Sequence, residues 1–193
     1  MSEARMRYAV FLRGVNVGGV TLINEKLLDI AHAAGFECAR ALMASGNLLL
    51  ASGRTAKQIE GDMESALTAA CGAVIPCFVR SSEQLLALLH EDDTDPAGFH
   101  HYLLFCRGDL LEALSEVYAR FPHPLGEALF GHAGSGHADI HWIVQKGNSL
   151  SDFGSKVLGR QFRDLLTSRN LRTVRRVAAA LMDPDVFAAK GKR

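Results

Sequence analysis

Arg7-Tyr-Ala-Val-Phe-Leu-Arg-Gly-Val-Asn-Val-Gly-Gly19 opens with six residues of strand character and then breaks on three glycines. Residues 7–12 are aromatic, apolar and β-branched, which predicts a strand. Working outward, Asn24 can cap a helix whose Leu27, Leu28, Ala31 and Ala34 recur at helical spacing, with Gly35 as its stop. Residues 37–44 and 47–51 read as two strands joined by Ser45-Gly46-Asn47, residue types that tolerate a positive φ in a tight hairpin. Thr55 starts a second helix to about Ala70, with Ile59, Met63, Ala66 and Leu67 on one side, and 73–80 is a fourth strand. This order, β-α-β-β-α-β, is the split βαβ or ferredoxin-like arrangement of an α+β fold.

The remainder mixes the same elements less regularly. Ser81-Ser82-Glu83-Gln84 is a capping-box start for a helix to about His90. An acidic, proline-ended loop follows at 91–96. A strand is expected at 101–107, a helix from Asp109 to Ala119, and a hairpin from 127–131 and 137–145 around the glycine-rich turn 131–136. Helices near 155–166 and 170–182 close the chain before a basic tail. No short internal repeat stands out, although the pattern allows a diverged duplication. The expected organisation is a ferredoxin-like sub-domain at 1–82 and a second, related α+β sub-domain with two C-terminal helices at 83–193.

The chain has 193 residues, 48% hydrophobic and 22% charged, which fits an ordinary globular protein. Its 21 Lys+Arg balance 21 Asp+Glu. From Gly154 onward, however, ten basic residues meet three acidic ones, so that end is +7 and the rest −7. No apolar run approaches the ~20 residues a bilayer requires, and the start lacks a signal-peptide pattern. Cysteines at 38, 71, 77 and 106 sit in or beside apolar segments with no framework spacing, as reduced thiols do. The expectation is a soluble, cytoplasmic protein with no membrane contact.

Three constellations could carry chemistry. A glycine-rich loop after a strand lets backbone N–H groups converge on an anion, and Arg13 can add a guanidinium fork. In the split βαβ topology the end of strand 1 and the 45–47 bend share a rim, which brings Arg13, Gly14, Asn16, Gly18 and Gly19 toward Ser45, Gly46 and Asn47. The same glycines could equally serve turns, with the asparagines capping backbone groups. The second constellation is the C-terminal helix, where Arg169, Arg172 and Arg176 oppose an apolar stripe of Leu171, Val174, Ala178 and Leu181. That face could meet phosphates, or it could be a solvated face paired with the 91–95 loop or with Glu112 and Glu116. The third is His137-x-Asp139-x-His141, three polar residues on one face of a strand, read as its wet face. Its two histidines lie about 13 Å apart at ~3.3 Å rise per residue, too far for one metal ion. His100-His101 points to both faces and adds nothing. No nucleophile motif and no preorganised acid–base pair is present, so no catalytic residue, metal or cofactor is assigned.

Leu12-Arg13-Gly14-Val15-Asn16-Val17-Gly18-Gly19 resembles the opening signature of a bacterial family of unknown function, the domain of unknown function 1697 family. Ser45-Gly46-Asn47, Val79-Arg80-Ser81 and Thr167-Ser168-Arg169-Asn170-Leu171-Arg172-Thr173 extend the resemblance in order over about residues 6–182. It implies two interlocked ferredoxin-like sub-domains and no established activity. Where that family has Trp and Asn, this chain has Leu171 and Arg172. If the Trp touches a ligand, a shared site is lost; if it only packs, Leu171 replaces it.

Three functions compete. The first is a binding module for a small anionic or phosphorylated ligand at the 13–19 and 45–47 rim, with Arg169 and Asn170 adding charge and polarity. The second is a nucleic-acid-associated protein using the basic helix. The third is a structural or oligomeric interaction protein with no ligand.

Overall fold

A computed structural model describes residues 5–15, 21–43, 46–91, 97–123, 126–131, 139–147 and 152–187. The chain gathers into two compact units, Met1–Ala87 with Arg175–Arg193, and Leu88–Val174. The single division expected at 82/83 therefore has two counterparts, one between residues 87 and 88 and one between 174 and 175.

The first sheet is built from β1 (Met6–Leu12), β2 (Arg40–Ala41), β3 (Asn47–Ser52) and β4 (Cys77–Ser81), with α1 (Asn24–Ala33) and α2 (Ala56–Cys71) between them. Its order is β2-β3-β1-β4 with every pairing antiparallel, which is the expected ferredoxin-like topology. Tyr8, Val10, Leu12, Leu48, Leu50 and Val79 face one core with Leu27, Ile30, Ile59, Met63 and Leu67. The intervening Ala9, Phe11, Leu49 and Phe78 are buried as well. Burial on both faces explains why β1 reads as a continuous apolar run rather than an alternating one.

Local chemistry ends the helices. α1 stops in a Schellman pattern, with Gly35 N–H on the His32 carbonyl and Phe36 N–H on the Ala31 carbonyl, and Gly35 at φ +87°. Asn24 does not cap it: the cap residue is Ile23, whose side chain accepts nothing. α2 carries a full capping box between Thr55 and Gln58 and ends at left-handed Gly72. The outward N–H groups of edge strand β4 are taken by α2: Cys77 donates to Glu64 (2.8 Å) and Val79 to Glu60 (2.9 Å). Ser81 then forms a capping box with Gln84 to start α3 (Ser82–Glu91).

The second sheet comprises β5 (Phe99–Cys106), β6 (Ala128–Gly131), β7 (Ile140–Gln145) and β8 (Leu166–Asn170), with α4 (Leu111–Ala119) and α5 (Asp152–Val157) as connections. Its order, β6-β7-β5-β8, and its antiparallel pairings repeat the first sheet position for position. α6 (Leu171–Met182) follows β8 as α3 follows β4. Three expectations change. The 37–44 strand shrinks to two residues, the 155–166 helix breaks into α5 and a short 3₁₀ turn at Arg160–Phe162, and β8 occupies residues read as loop and helix start. Residues 132–138 of the expected hairpin turn lie outside the described residues.

The registers reveal a duplication. Tyr8 faces Leu50 and Ser81; Tyr102 faces Trp142 and Asn170. Leu12 opposes Cys77 as Cys106 opposes Leu166. Aligned this way, Tyr8-Ala-Val-Phe-Leu-Arg-Gly14 matches Tyr102-Leu-Leu-Phe-Cys-Arg-Gly108 at Tyr, Phe, Arg and Gly. An internal repeat that was not evident from sequence alone is thus present in the strands that centre each sheet.

Candidate functional site

The end of β1 and the start of β3 pair directly, Phe11 against Asn47. Leu12 N–H donates to the Gly46 carbonyl at 2.9 Å, and Arg13 N–H donates to the Pro76 carbonyl at 2.9 Å. Gly46 has φ +68°, and a Cβ there would lie 2.5 Å from Val15 Cγ2 and 3.2 Å from Leu12 Cβ. Leu12 and Val15, on either side of the arginine–glycine corner, therefore touch Gly46, as the topology requires. Gly14 is exposed with φ +76°, and Arg13 is half-buried. Asn16, Gly18, Gly19 and Ser45 lie outside the described residues. Asn47 is fully buried, and its amide donates to the Leu42 carbonyl at 3.2 Å while its own carbonyl accepts from Leu42 N–H. Its side chain ties the bend shut.

The second half holds the same corner. Arg107 N–H donates to the Leu165 carbonyl at 2.8 Å, and Gly108 takes φ +68°. Arg107 is half-buried and Gly108 exposed, like their counterparts. Sequence reasoning missed this pair. The signal was there in the shared Tyr, Phe, Arg and Gly, but only strand register aligns them.

Arg80 and Arg169 form a second matched pair, opposite Ala9 and Leu103. Each NH1 donates to the preceding carbonyl at 2.8 Å. Arg169 also reaches Thr167 Oγ1 at 3.0 Å, and burial lowers its pKa to about 10. Burial likewise raises the phenol pKa of the matched tyrosines, Tyr8 and Tyr102. Asn170 Oδ1 accepts Arg172 N–H at 3.0 Å, the bond of a cap residue opening α6. Leu171 is 1% exposed, a packing position. Along α6, Leu171, Val174, Val177, Ala178 and Leu181 are buried while Arg172 and Arg176 are exposed. Of the acidic groups considered as their partners, Glu116 pairs with Arg120 on its own helix at 3.6 Å.

The face read as wet is buried instead. Asp139 is 7% and His141 0% exposed, because both faces of this sheet are covered. Asp139 Oδ1 accepts Cys106 N–H at 3.2 Å. His101, expected to add nothing, meets His141 across the strands at 2.9 Å, and Phe130 stacks on His141. Cross-strand register makes this pair, which spacing along one strand cannot reveal. His137 lies outside the described residues. Among the described residues no group of three or more His, Cys, Asp or Glu could hold a metal ion, and no helix is long and apolar enough to cross a membrane.

Fold and site together define a tandem ferredoxin-like α+β protein whose halves each end their central strand in an arginine–glycine corner. A family model described as "Protein of unknown function (DUF1697)" matches residues 6–123, and the chain belongs to that family. It is similar in fold to a conserved bacterial protein, SP0830 from Streptococcus pneumoniae. That likeness has a TM-score of 0.72 at 22% identity, over 92% of this chain and 99% of that one. No curated protein matches.

Proposed function

We propose that this chain is a binding module for small anionic or phosphorylated ligands, held at the arginine–glycine corners. The recurrence of the corner carries this reading. A left-handed turn needs only the glycine. Yet arginine precedes it in both halves, on a backbone bonded the same way. An exposed glycine offers bare backbone N–H groups to an oxyanion, and an adjacent guanidinium supplies charge and a bidentate fork. Gly46 walls the first corner, and Asn47 holds that wall in place. Arg169 and Asn170 serve the backbone of β8 and the start of α6, so the reading rests on Arg13 and Arg107.

Calorimetric titration with inorganic phosphate, nucleoside monophosphates and sugar phosphates tests it. Arg13→Ala is expected to weaken the bound anion at least about tenfold, as loss of a charge-assisted pair does. Adding Arg107→Ala should abolish what remains. Wild-type affinities that survive both substitutions unchanged would overturn the reading.

A further inference from the structure

A surface hollow of about 570 Å³ lies on the helical side of the first unit, lined by Ala34, Arg54, Gln58, Asp62, Ser65 and Ala66. It is remote from the Arg13 corner. Arg54 follows β3 at Ser52, which pairs with Met6 at the start of β1, whereas the corner stands at the far end of the same two strands. Short side chains leave the space open: Ala34, Ser65 and Ala66 form its walls, and Gly35 beside it has no room for a Cβ without pressing on Arg54 NH2 at 3.2 Å.

Three polar groups of the hollow, Arg54, Asp62 and Gln58, are already engaged with neighbouring residues. Arg54 NH1 donates to the Ala34 carbonyl at 3.2 Å and to Asp62 Oδ2 at 2.8 Å, and the guanidinium lies over the Phe36 ring at 4.8 Å. Those bonds use only NH1, so Nε and NH2 keep their donors. Asp62 keeps Oδ1 as an acceptor. Gln58 spends its carbonyl oxygen on Thr55 N–H and Oγ1, which leaves its amide NH₂. Gln58, Asp62 and Ser65 recur at i, i+4 and i+7, so one stripe of α2 presents all three.

We infer that this hollow binds the zwitterionic end of a small α-amino acid. The ion pair decides the class. A simple anion drawn to Arg54 meets Asp62 at contact distance, and a simple cation drawn to Asp62 meets Arg54. A ligand whose carboxylate and ammonium are joined through one carbon answers both charges at once. Its carboxylate takes the free donors of Arg54, its ammonium takes Asp62 Oδ1, and Gln58 and Ser65 face its side chain. A guanidinium already held by a carbonyl, a carboxylate and a ring loses little freedom on binding.

Two-dimensional amide NMR tests the inference, with glycine, L-serine and L-glutamine as probes and propionate and ethylamine as single-charge controls. The amino acids are expected to shift the amides of Arg54, Gln58, Asp62 and Ser65 saturably, and the controls to leave them in place at equal concentration. Asp62→Asn should weaken binding at least about tenfold. Ser65→Leu adds bulk to the hollow with no charge to compete for Asp62 or Arg54, so it should block binding with an unchanged melting temperature. Equal shifts from propionate would mean a plain anion site. No saturable shift from any amino acid, or full binding by Ser65→Leu, would equally overturn the inference.

Discussion

Gly46 carries two constraints that separate readily. Its φ of +68° alone disfavours any L side chain by roughly 1–2 kcal/mol. Its missing Cβ would sit 2.5 Å from Val15, and forcing that contact costs typically 1–3 kcal/mol more. Gly72 shares the φ of +68° but has open space around it. Gly46→Ala should therefore lose about 2–5 kcal/mol and Gly72→Ala about 1–2 kcal/mol, read from urea midpoints. Equal losses would show that the Val15 contact relaxes freely. The sequence marks Gly46 as a turn residue, but only the strand pairing shows that it is squeezed. The same holds for Arg80, 1% exposed on a strand. Arginine in sequence reads as surface; the continuous apolar run of β1 is the sign of a covered second face, but only strand register puts Arg80 on that face, opposite Ala9.

At the scale of elements, the edge of the first sheet is guarded by carboxylates rather than by another strand. Glu64 and Glu60 accept the Cys77 and Val79 N–H groups that would otherwise stand unpaired along β4. Replacing both by Ala is expected to cost on the order of 1.5–3 kcal/mol for each charged hydrogen bond and to raise the aggregation rate on heating. Light scattering during thermal unfolding checks this, with the Gln variants as partial rescues. The helices and strands of the first half were legible because their apolar spacing is regular and Thr55, Ser81 and Gly35 punctuate it. β8 was not. Leu166-Thr-Ser-Arg-Asn170 has one large apolar residue, and its partner β5 lies some sixty residues upstream in the chain. The 3₁₀ turn before it continues the helical spacing of α5, so local pattern favoured a helix that tertiary pairing overrides.

For the whole molecule, the duplication explains why one ferredoxin-like half was easy to read and the other hard. The second half keeps the strand order and the Tyr, Phe, Arg and Gly of its central strand while its connections diverge. Chain order and unit membership nevertheless part company at the C-terminus, where Arg175–Arg193 belongs with the first unit. Arg7 of β1 holds that segment, donating to the carbonyls of Leu181 (2.6 Å) and Asp183 (3.0 Å), with Phe187 under its guanidinium at 5.5 Å. Val177, Ala178 and Leu181 are 0–3% exposed there, and burying a Val or Leu side chain is worth roughly 1.5–3 kcal/mol each. A chain ending at Val174 keeps every strand of both sheets but strips the first unit of those contacts. Hydrogen exchange should then show Met6–Leu12 losing protection by more than Phe99–Cys106 and Ile140–Gln145 do. Arg7→Ala in the full chain should give a weaker version of the same pattern, because the helix end remains while its cap is gone. Uniform loss across both sheets would mean that the end of α6 stabilises the second unit as much as the first.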